Sequence, residues 1–289
     1  MTTVQTEYLG ASDASIKSHY DVGNDFWATW LDPAMVYSGA LWEPGDDLAA
    51  AQLRKIDYYI TGTHAAGQQR VLDVGCGWGA TLRRLVGQHE VREAVGLTLS
   101  AAQRDFIAEQ DDSRIDVRLE NWIDHQAAEP YDAIISIGAF EHFATFDAPR
   151  EDKIESYRKF FKFCYRNLGP GGYLGLQTIS KTSRQLDRQS FEDSYFIWTN
   201  IFRETDVPWL TDICTAAERR FDVLTVRCDP EHYVKTVEAW QRTFAANRDH
   251  VLNLVGNDVT EIYEEYLRAM RRLFQKRHMG LLRLLMRRA

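Results

Sequence analysis

The chain has 289 residues, of which 45% are hydrophobic and 26% charged, and its mean hydropathy is −0.39. That length and composition allow one large domain or two modest ones with a sizeable core, and they exclude a disordered or collagen-like chain. A net charge of −8 argues against a nucleic-acid-binding protein, and no apolar run approaches the ~20 residues that cross a bilayer.

Secretory and metal-binding patterns are also missing from the sequence. The segment that starts the chain, MTTVQTEYLGASDAS, has no basic patch followed by an apolar stretch, so no secretory signal is visible. The 4 cysteines form no CxxC pair and the 8 histidines form no i, i+4 pair, so no metal site is expected. These features predict a protein of the reducing cytoplasm.

The predicted elements alternate along the chain. The first ~65 residues read as helical, because apolar and polar positions recur at the helical period in residues 47–60. From residue 70 onward the predicted strands are Arg70–Val74, Glu93–Thr98, Arg114–Leu119, Tyr131–Ser136, Gly172–Thr178 and Phe221–Val226, and the predicted helices cover 80–88, 101–110, 152–168, 234–248 and 257–275. This alternation predicts an α/β fold with a doubly wound, mostly parallel sheet. By periodicity, Gly280–Arg288 fits either a helix or a strand.

Residues 181–215 are too long and too aromatic for an ordinary connection in such a sheet. Their large apolar side chains are Phe191, Tyr195, Phe196, Trp198, Ile201, Phe202 and Trp209. We expect a helical lid insertion over an apolar acceptor pocket, with a helix pair packed on the sheet as the alternative. The predicted single domain then has an N-terminal helical cap at 1–65, a cofactor-binding core at 66–180, the lid at 181–215 and the rest of the core at 216–289.

A glycine-rich turn follows the first predicted strand. Its GxGxG sequence starts at Gly75 and lets the backbone approach a ligand closely, without the spacing of a pyrophosphate-binding loop. Asp73, just before it, is typical of loops that hold the amino-acid part of S-adenosylmethionine, and a structural tight turn is the alternative. The second predicted strand ends in the segment Gly96–Ser100, and Gln103 follows one helical turn later. No carboxylate stands at the end of this strand, where an acidic residue normally binds the ribose hydroxyls of a nucleotide cofactor. This argues against a nicotinamide dehydrogenase.

Six motifs occur in order along the chain. They are Ser18–Asp25 (SHYDVGND), Tyr37-Ser38 after Leu31–Pro33, Leu72–Gly79, Gly96–Ser100 with Gln103, Ile137–Phe143 and His232–Thr236. Together they resemble the cyclopropane fatty acid synthase and mycolic acid cyclopropane synthase family of S-adenosylmethionine-dependent methyltransferases, and most closely the mycolic acid branch. The resemblance implies a Rossmann-like class I methyltransferase fold with a mostly parallel seven-stranded sheet, helices on both faces, N-terminal helices and a last strand at 280–288.

The resemblance also implies S-adenosylmethionine as cofactor and S-adenosylhomocysteine as its product. Together with Asp73, the implied cofactor-binding residues are Tyr37, Ser38, Gly75, Gly77, Thr98, Leu99, Gln103, Trp122 and Ile137. Family members often carry an acid near the adenine directly after the position of Trp122. Ile123 stands there in this chain, which puts adenine recognition by that side chain in question.

The reacting end of the site is predicted around Glu141. This residue follows a strand at the edge where open α/β sheets bind ligands, and burying it among aromatic neighbours is costly unless it is hydrogen-bonded or functional. A solvent-facing acid at a helix start is the alternative. The resemblance places the glutamate beside the transferred methyl group. Tyr20, Tyr37 and Tyr233 are candidates to stabilise a sulfonium and a carbocation with their faces, although a tyrosine is more often a core residue.

Two positions depart from the family members that close cyclopropane rings. Those enzymes carry a cysteine after the Tyr-Ser pair and a histidine on the strand after the long helix, which help to hold a bicarbonate ion thought to remove the ring-closing proton. Gly39 and Gln177 stand there in this chain, which leaves bicarbonate binding open. Gln177 stays a candidate catalytic residue. Gly39 is expected to enlarge the pocket for an acceptor bulkier than a straight acyl chain.

The C-terminal segment is basic, since no acid follows Glu265. Its cations are Arg268, Arg271, Arg272, Lys276, Arg277, Arg283, Arg287 and Arg288. They predict either a face that docks an acidic carrier protein or an anionic membrane, or a solvated edge paired with acids of the same chain.

The leading hypothesis is methyl transfer from S-adenosylmethionine to a carbon of an unsaturated or hydrophobic small molecule, or of an acyl or isoprenoid chain. Without ring closure the product carries a methyl or exomethylene group. The alternative is an N- or O-methyltransferase of a natural product, which product mass and the position of a labelled methyl distinguish. A third hypothesis is a cofactor-retaining binding or cyclisation protein, which formation of S-adenosylhomocysteine excludes.

Overall fold

The computed structural model describes Gly10, Ser12 and residues 22–289, and a 7-stranded sheet of order β3-β2-β1-β4-β5-β7-β6 lies at its centre. The strands are β1 Arg70–Val74, β2 Glu93–Thr98, β3 Ile115–Leu119, β4 Tyr131–Ile137, β5 Leu168–Lys181, β6 Phe221–Cys228 and β7 Met279–Arg288. The first five strands pair in parallel, whereas β7 runs antiparallel to both its neighbours. This confirms the Rossmann-like α/β fold and the assignment of the C-terminal segment as a strand.

The described helices are α1 Asn24–Trp30, α2 Leu48–Gly62, α3 Ala80–Gln88, α4 Ala101–Ala108, α5 Arg150–Asn167, α6 Arg188–Asn200, α7 Leu210–Ala217, α8 Pro230–Ala246 and α9 Arg248–Gln275. Asp47 and Ser100 cap α2 and α4 by accepting first-turn amide hydrogen bonds. The prediction placed the start of α8 too late, because Pro230 already opens it. The predicted start at 257 marks a kink at Gly256 inside α9 (φ 77°). None of these helices is long and apolar enough to cross a membrane.

Three apolar clusters hold the layers together. One lies between the sheet and the pair α5 and α7, and another packs α2 and α3 on the opposite face. A third, rich in tryptophan and tyrosine, joins α1, α6, α8 and α9 beside the carboxyl ends of the central strands. The two helices of the 181–215 segment therefore separate, since α6 packs on α9 while α7 packs on α5.

The neighbours of β1 place the functional site. In the strand order, β1 lies between β2 and β4. The connection after β1 leads toward β2, and the connection after β4 leads in the opposite direction, toward β5. In open α/β sheets a ligand binds in the crevice outside the carboxyl ends of the strands at such a reversal.

Candidate active site

A cavity of about 130 Å³ lies at that crevice, and we call it the donor pocket. The glycine turn after β1 forms its floor, where Gly75 and Gly77 have φ values of 81° and 54°. A Cβ on Gly75 would lie 2.5 Å from the Cβ of Ala139, so only glycine combines this backbone conformation with this close approach. The ten predicted cofactor-binding residues all line the pocket; these are Tyr37, Ser38, Asp73, Gly75, Gly77, Thr98, Leu99, Gln103, Trp122 and Ile137.

Two buried groups of opposite charge type line the donor pocket. Asp73 is 2% exposed, and its Oδ1 has no hydrogen-bond partner among the described residues. Burial raises the pKa of Asp73 to about 7. Burial also lowers the pKa of Lys55 to about 7, and its Nζ donates to Ser38 Oγ at 2.7 Å. The Asp73 oxygen is thus available to a ligand, while Lys55 holds the side chain of Ser38.

Lys55 is a site residue that was not predicted from the sequence. Its signal was present, because Gln52 and Lys55 occupy the inward stripe of α2 between apolar residues. A lysine is almost never fully buried without a partner, so a polar position on a core-facing stripe marks a candidate site residue.

Side chains of β2 and the segment after β3 complete the donor pocket. Thr98 Oγ1 donates to Gln103 Oε1 at 2.7 Å, which holds the start of α4 against the end of β2. Trp122 packs against Phe143 with ring centroids 5.0 Å apart. Ile123 packs against the apolar cluster beneath α5 and does not line the pocket, so that side chain contributes no hydrogen bond to an adenine.

A second cavity of about 390 Å³ adjoins the donor pocket, and we call it the acceptor cavity. Tyr37, Ser38, Gly138 and His142 line both. Its walls are mainly apolar, with Ile179, Ile197, Trp198, Phe202, Met270 and Leu281 among them. The α6 part of the lid segment and the residues flanking it contribute one wall, as expected for a covered apolar pocket.

Glu141 is directed toward this cavity from the turn after β4. It is 6% exposed, so the alternative of a solvent-facing acid is wrong. Oε1 accepts a 2.6 Å hydrogen bond from the Ile179 amide, and Oε2 has no hydrogen-bond partner among the described residues. Burial raises the pKa of Glu141 to about 7. A carboxylate of this kind can take up a proton near neutral pH.

His142 lies between the two cavities and was not identified as a site residue from the sequence. Its Nδ1 is 3.1 Å from Thr205 Oγ1, and burial lowers its pKa to about 4. The imidazole is therefore neutral at physiological pH and adds a polar surface without charge beside Glu141.

The predicted tyrosines have different outcomes. Tyr37 donates to the Tyr266 hydroxyl at 2.7 Å, and its ring lies 5.4 Å from that of Trp240. Tyr233 lines the acceptor cavity and packs against Phe274 at 4.4 Å. Both rings belong to the aromatic cluster of α1, α8 and α9. Tyr20 lies outside the described residues.

Gln177 lies in the wall of the acceptor cavity, with both atoms of its amide group engaged. Its Nε2 donates to the Gly39 carbonyl at 3.1 Å, and its Oε1 accepts from Arg283, which faces it on β7. Arg283 is 0% exposed and also donates to Asp229 Oδ2 at 3.0 Å and to the Ala40 carbonyl at 2.7 Å. Gln177 therefore positions the Gly39 segment. From the sequence, Arg283 was recognised only as a member of the basic C-terminal segment, and its role beside Gln177 was not predicted.

The expectation that Gly39 enlarges the pocket is wrong. A Cβ on Gly39 would lie 2.7 Å from Leu281 Cδ2 and 3.3 Å from Tyr233 Cγ. The volume of the missing side chain is already filled by Leu281, from a strand more than two hundred residues later in the chain.

The basic C-terminal segment is largely paired within the chain. Arg272 contacts Asp193 at 2.6 Å, and Lys276 contacts Asp187 at 2.9 Å, both on or beside α6. Arg268 pairs with Glu265 at 2.9 Å. These ion pairs agree with the alternative in which the basic segment is a solvated edge paired with acids of the same chain. Docking of an acidic carrier protein or an anionic membrane stays a prediction.

Comparisons with known proteins agree with the fold and identify the family. The family model described as mycolic acid cyclopropane synthetase matches residues 10–284. Cyclopropane mycolic acid synthase 2 of Mycobacterium leprae is 35% identical over 282 residues, which cover 91% of this chain and 90% of that protein. The cyclopropane synthase MmaA2 from Mycobacterium tuberculosis superposes with a TM-score of 0.88 at 29% identity, covering 97% of this chain and 100% of that one.

A second solved structure is the mycolic acid cyclopropane synthase CmaA1 complexed with SAH and CTAB. It superposes with a TM-score of 0.87 at 31% identity and covers 97% of this chain and 100% of its own. The matched family model spans nearly the whole chain, and the relatives are matched over most of their own length. The chain therefore belongs to the mycolic acid cyclopropane synthetase family and is an S-adenosylmethionine-dependent methyltransferase of the cyclopropane synthase type.

Proposed function

We propose that this enzyme transfers methyl to a carbon of an unsaturated, hydrophobic acceptor and releases a methylated alkene rather than a cyclopropane. The observation that carries the proposal is Glu141. Its buried Oε2 has no hydrogen-bond partner among the described residues and belongs to a side chain of the apolar acceptor cavity. An acceptor whose methylation creates a carbocation needs a base at this place.

The residues of the donor pocket fit S-adenosylmethionine, which supplies an electrophilic methyl group when bound. Asp73 Oδ1, which has no hydrogen-bond partner among the described residues, can accept a hydrogen bond from the ammonium group of S-adenosylmethionine. Gly75 and Gly77 have positive φ values and no side chains, so the backbone of their turn can approach the bound donor closely. Thr98 and Gln103 line the side where its sugar hydroxyls need partners. We propose that the ten predicted residues bind the donor in this way.

The acceptor cavity favours a hydrocarbon. Its walls are mainly aliphatic and aromatic, and it adjoins the donor pocket along Tyr37 and Gly138. The similar enzyme CmaA1 has been crystallised with CTAB as well as with SAH. Apolar walls exclude water from the reacting carbon, which protects a carbocation from capture.

In the proposed reaction the alkene electrons form a bond to the methyl carbon while the carbon–sulfur bond breaks, which leaves a positive charge on the other alkene carbon. The faces of Tyr37 and Tyr233 and the carboxylate of Glu141 stabilise that charge. Glu141 Oε2 then accepts a proton from a carbon next to the cation, and the electrons of that C–H bond form a new double bond. Gln177 acts as a positioning residue.

We propose that proton removal in this chain needs no bicarbonate ion, because Gly39 and Gln177 stand where ring-closing family members carry the cysteine and the histidine that help to hold it. Both amide atoms of Gln177 are engaged, and Leu281 fills the space beside Gly39. Glu141 Oε1 already accepts from the Ile179 amide. We therefore propose that Glu141, and not a bicarbonate ion, accepts the proton that leaves the acceptor.

The experiment uses donor with a trideuterated methyl group and a panel of linear acyl and branched isoprenoid alkenes. Formation of a methylated alkene that retains all of the transferred deuterium supports the proposal. Loss of one deuterium together with cyclopropane proton resonances contradicts it. Label on nitrogen or oxygen favours the heteroatom alternative, and absence of S-adenosylhomocysteine with every acceptor favours the binding or cyclisation alternative.

A further inference from the structure

The acceptor cavity has a buried end and an exposed end. Glu141, Gln177 and Tyr233 lie at the buried end and are each at most 6% exposed. Phe146 and Leu186 also line the cavity but are 59% and 44% exposed, which identifies its mouth.

Strand β5 connects the two ends. Gln177, Ile179 and Lys181 alternate along it, share one face and line the cavity. With a rise of roughly 3.3 Å per residue, the Cα of Lys181 lies about 13 Å from that of Gln177. The mouth is therefore separated from the reacting end by a length suited to a hydrocarbon chain.

The mouth carries an excess of positive charge. Lys153 Nζ and Lys181 Nζ each lie 2.7 Å from the same oxygen of Asp206, whose side chain is 4% exposed. One carboxylate thus holds two ammonium groups. Arg184 also lines the mouth and donates to the Lys276 carbonyl, with no carboxylate paired to it among the described residues.

Lys181, Arg184 and Asp206 line the cavity and form what we call the cationic mouth. Lys153 does not line the cavity and contacts the cationic mouth through Asp206. Asp206 and Glu141 are the only carboxylates among the described residues that line the cavity. The cationic mouth therefore carries a net charge of about +1 from its two cations and one acid, and that acid is also paired with Lys153. Such a group beside exposed aromatic rings is suited to an anion attached to an apolar chain.

We propose that the cationic mouth binds the anionic head group, a carboxylate or a phosphate, of an acceptor whose hydrocarbon chain extends to Glu141. This inference rests on the proposed function, since it specifies the class of acceptor for the same cavity. It predicts an amphiphile with its charged group at Lys181 and its alkene at the buried end.

Binding of decyl phosphate, decanoate and decanol to the donor-free enzyme tests the proposal, with tryptophan fluorescence as the readout because Trp198 and Trp209 line the cavity. Either anion is expected to bind about tenfold more tightly than decanol at low salt. Lys181→Met keeps the aliphatic stem and leaves Lys153 paired with Asp206, and it should reduce the preference to less than about twofold. Lys181→Arg should retain it.

Arg188→Gln is the matched control, because Arg188 is a 93% exposed cation on α6 that pairs with Glu192. It should leave the preference for the anion unchanged. Equal binding of all three probes to the unmodified enzyme would overturn the proposal, as would a Lys181→Met variant that loses affinity for decanol as strongly as for decyl phosphate. Because the donor is absent, failure of methyl transfer in the preceding experiment does not affect this result.

Discussion

The donor pocket and the acceptor cavity share a wall but are built in different ways. The donor pocket is formed mostly by turns that directly follow β1, β2 and β4, and its polar groups include both Lys55 and Asp73. The acceptor cavity is about three times larger, on volumes of 390 and 130 Å³, and draws its walls from α6, β5, α8, α9 and β7. Local sequence motifs therefore build the donor pocket, whereas packing between distant segments builds the acceptor cavity.

The two sites also differ in electrostatics. Asp73 and Lys55 line one pocket with opposite charge types, so binding of a zwitterionic amino-acid group can satisfy both signs. Within the part of the chain that the structure describes, Glu141 is the single carboxylate at the buried end of the acceptor cavity. This contrast is consistent with a donor pocket that binds the cofactor and an acceptor cavity in which Glu141 removes a proton from the acceptor.

The largest expected effect belongs to Glu141→Gln. The amide cannot accept the proton, so kcat should fall by about 10²- to 10⁴-fold while the Kd of S-adenosylhomocysteine stays within about twofold. Because the pKa of Glu141 is raised to about 7, the carboxyl is protonated below that pH, and kcat of the unmodified enzyme should rise as pH increases through about 7. Glu155→Gln, a change of an exposed acid on α5, is the control. An unchanged kcat would remove Glu141 from the mechanism.

Asp73→Asn tests the donor pocket. Loss of the charged hydrogen bond should raise the Kd of S-adenosylhomocysteine by about tenfold to a hundredfold, measured by calorimetry. Since the pKa of Asp73 is raised to about 7, more of it is ionised at higher pH. The difference in affinity between the unmodified enzyme and the variant should therefore increase as pH rises through about 7. Asp57→Asn, on the surface beside Arg84, should bind normally. Equal Kd values for the unmodified enzyme and Asp73→Asn would contradict the assigned contact.

Gln177→Ala tests whether Gln177 acts through position rather than chemistry. Arg283 and the Gly39 carbonyl would each lose a buried partner, which should lower the free energy of unfolding by about 1–3 kcal/mol in urea titrations. The pH profile of kcat should keep its inflection, because Glu141 is untouched. Gln110→Ala removes only an exposed local hydrogen bond and should have little effect. A lost pH inflection in Gln177→Ala would indicate direct participation in proton transfer.

Gly39→Ala tests the packing that replaced the expected extra space. The added methyl meets Leu281, so the variant should lose about 1–3 kcal/mol of stability. Leu281→Ala removes the clashing atoms, and in that background the same change should cost less than it does alone. A double-mutant cycle on the free energy of unfolding measures this coupling. Full additivity of the two changes would show that the contact does not matter.

The smallest effect is expected for Arg268→Gln, outside both cavities. Exposed ion pairs contribute little, so the free energy of unfolding should change by less than about 1 kcal/mol. If the basic segment only pairs within the chain, KM for free and for carrier-linked acceptors should also stay the same. A selective rise of KM for the carrier-linked acceptor would support the docking prediction instead.

The sequence by itself determined the sheet and the donor pocket. Short continuous apolar runs, glycine turns and helix caps are local signals, so β1, β2 and the turn at Gly75 could be located without tertiary information. The same holds for Glu141, whose motif places it directly after β4. Lys55 could have been added, since a polar residue on the inward stripe of α2 is also a local signal.

Only the tertiary structure decided what surrounds the reacting carbon. Leu281 fills the space beside Gly39, Arg283 engages Gln177, and Asp206 joins Lys153 to Lys181. Each contact joins segments that are far apart in the chain and meet through the register of β5 with β7 or the packing of α5. Spacing in a sequence carries no information about such pairs, because side-chain contacts between distant elements depend on how whole layers pack.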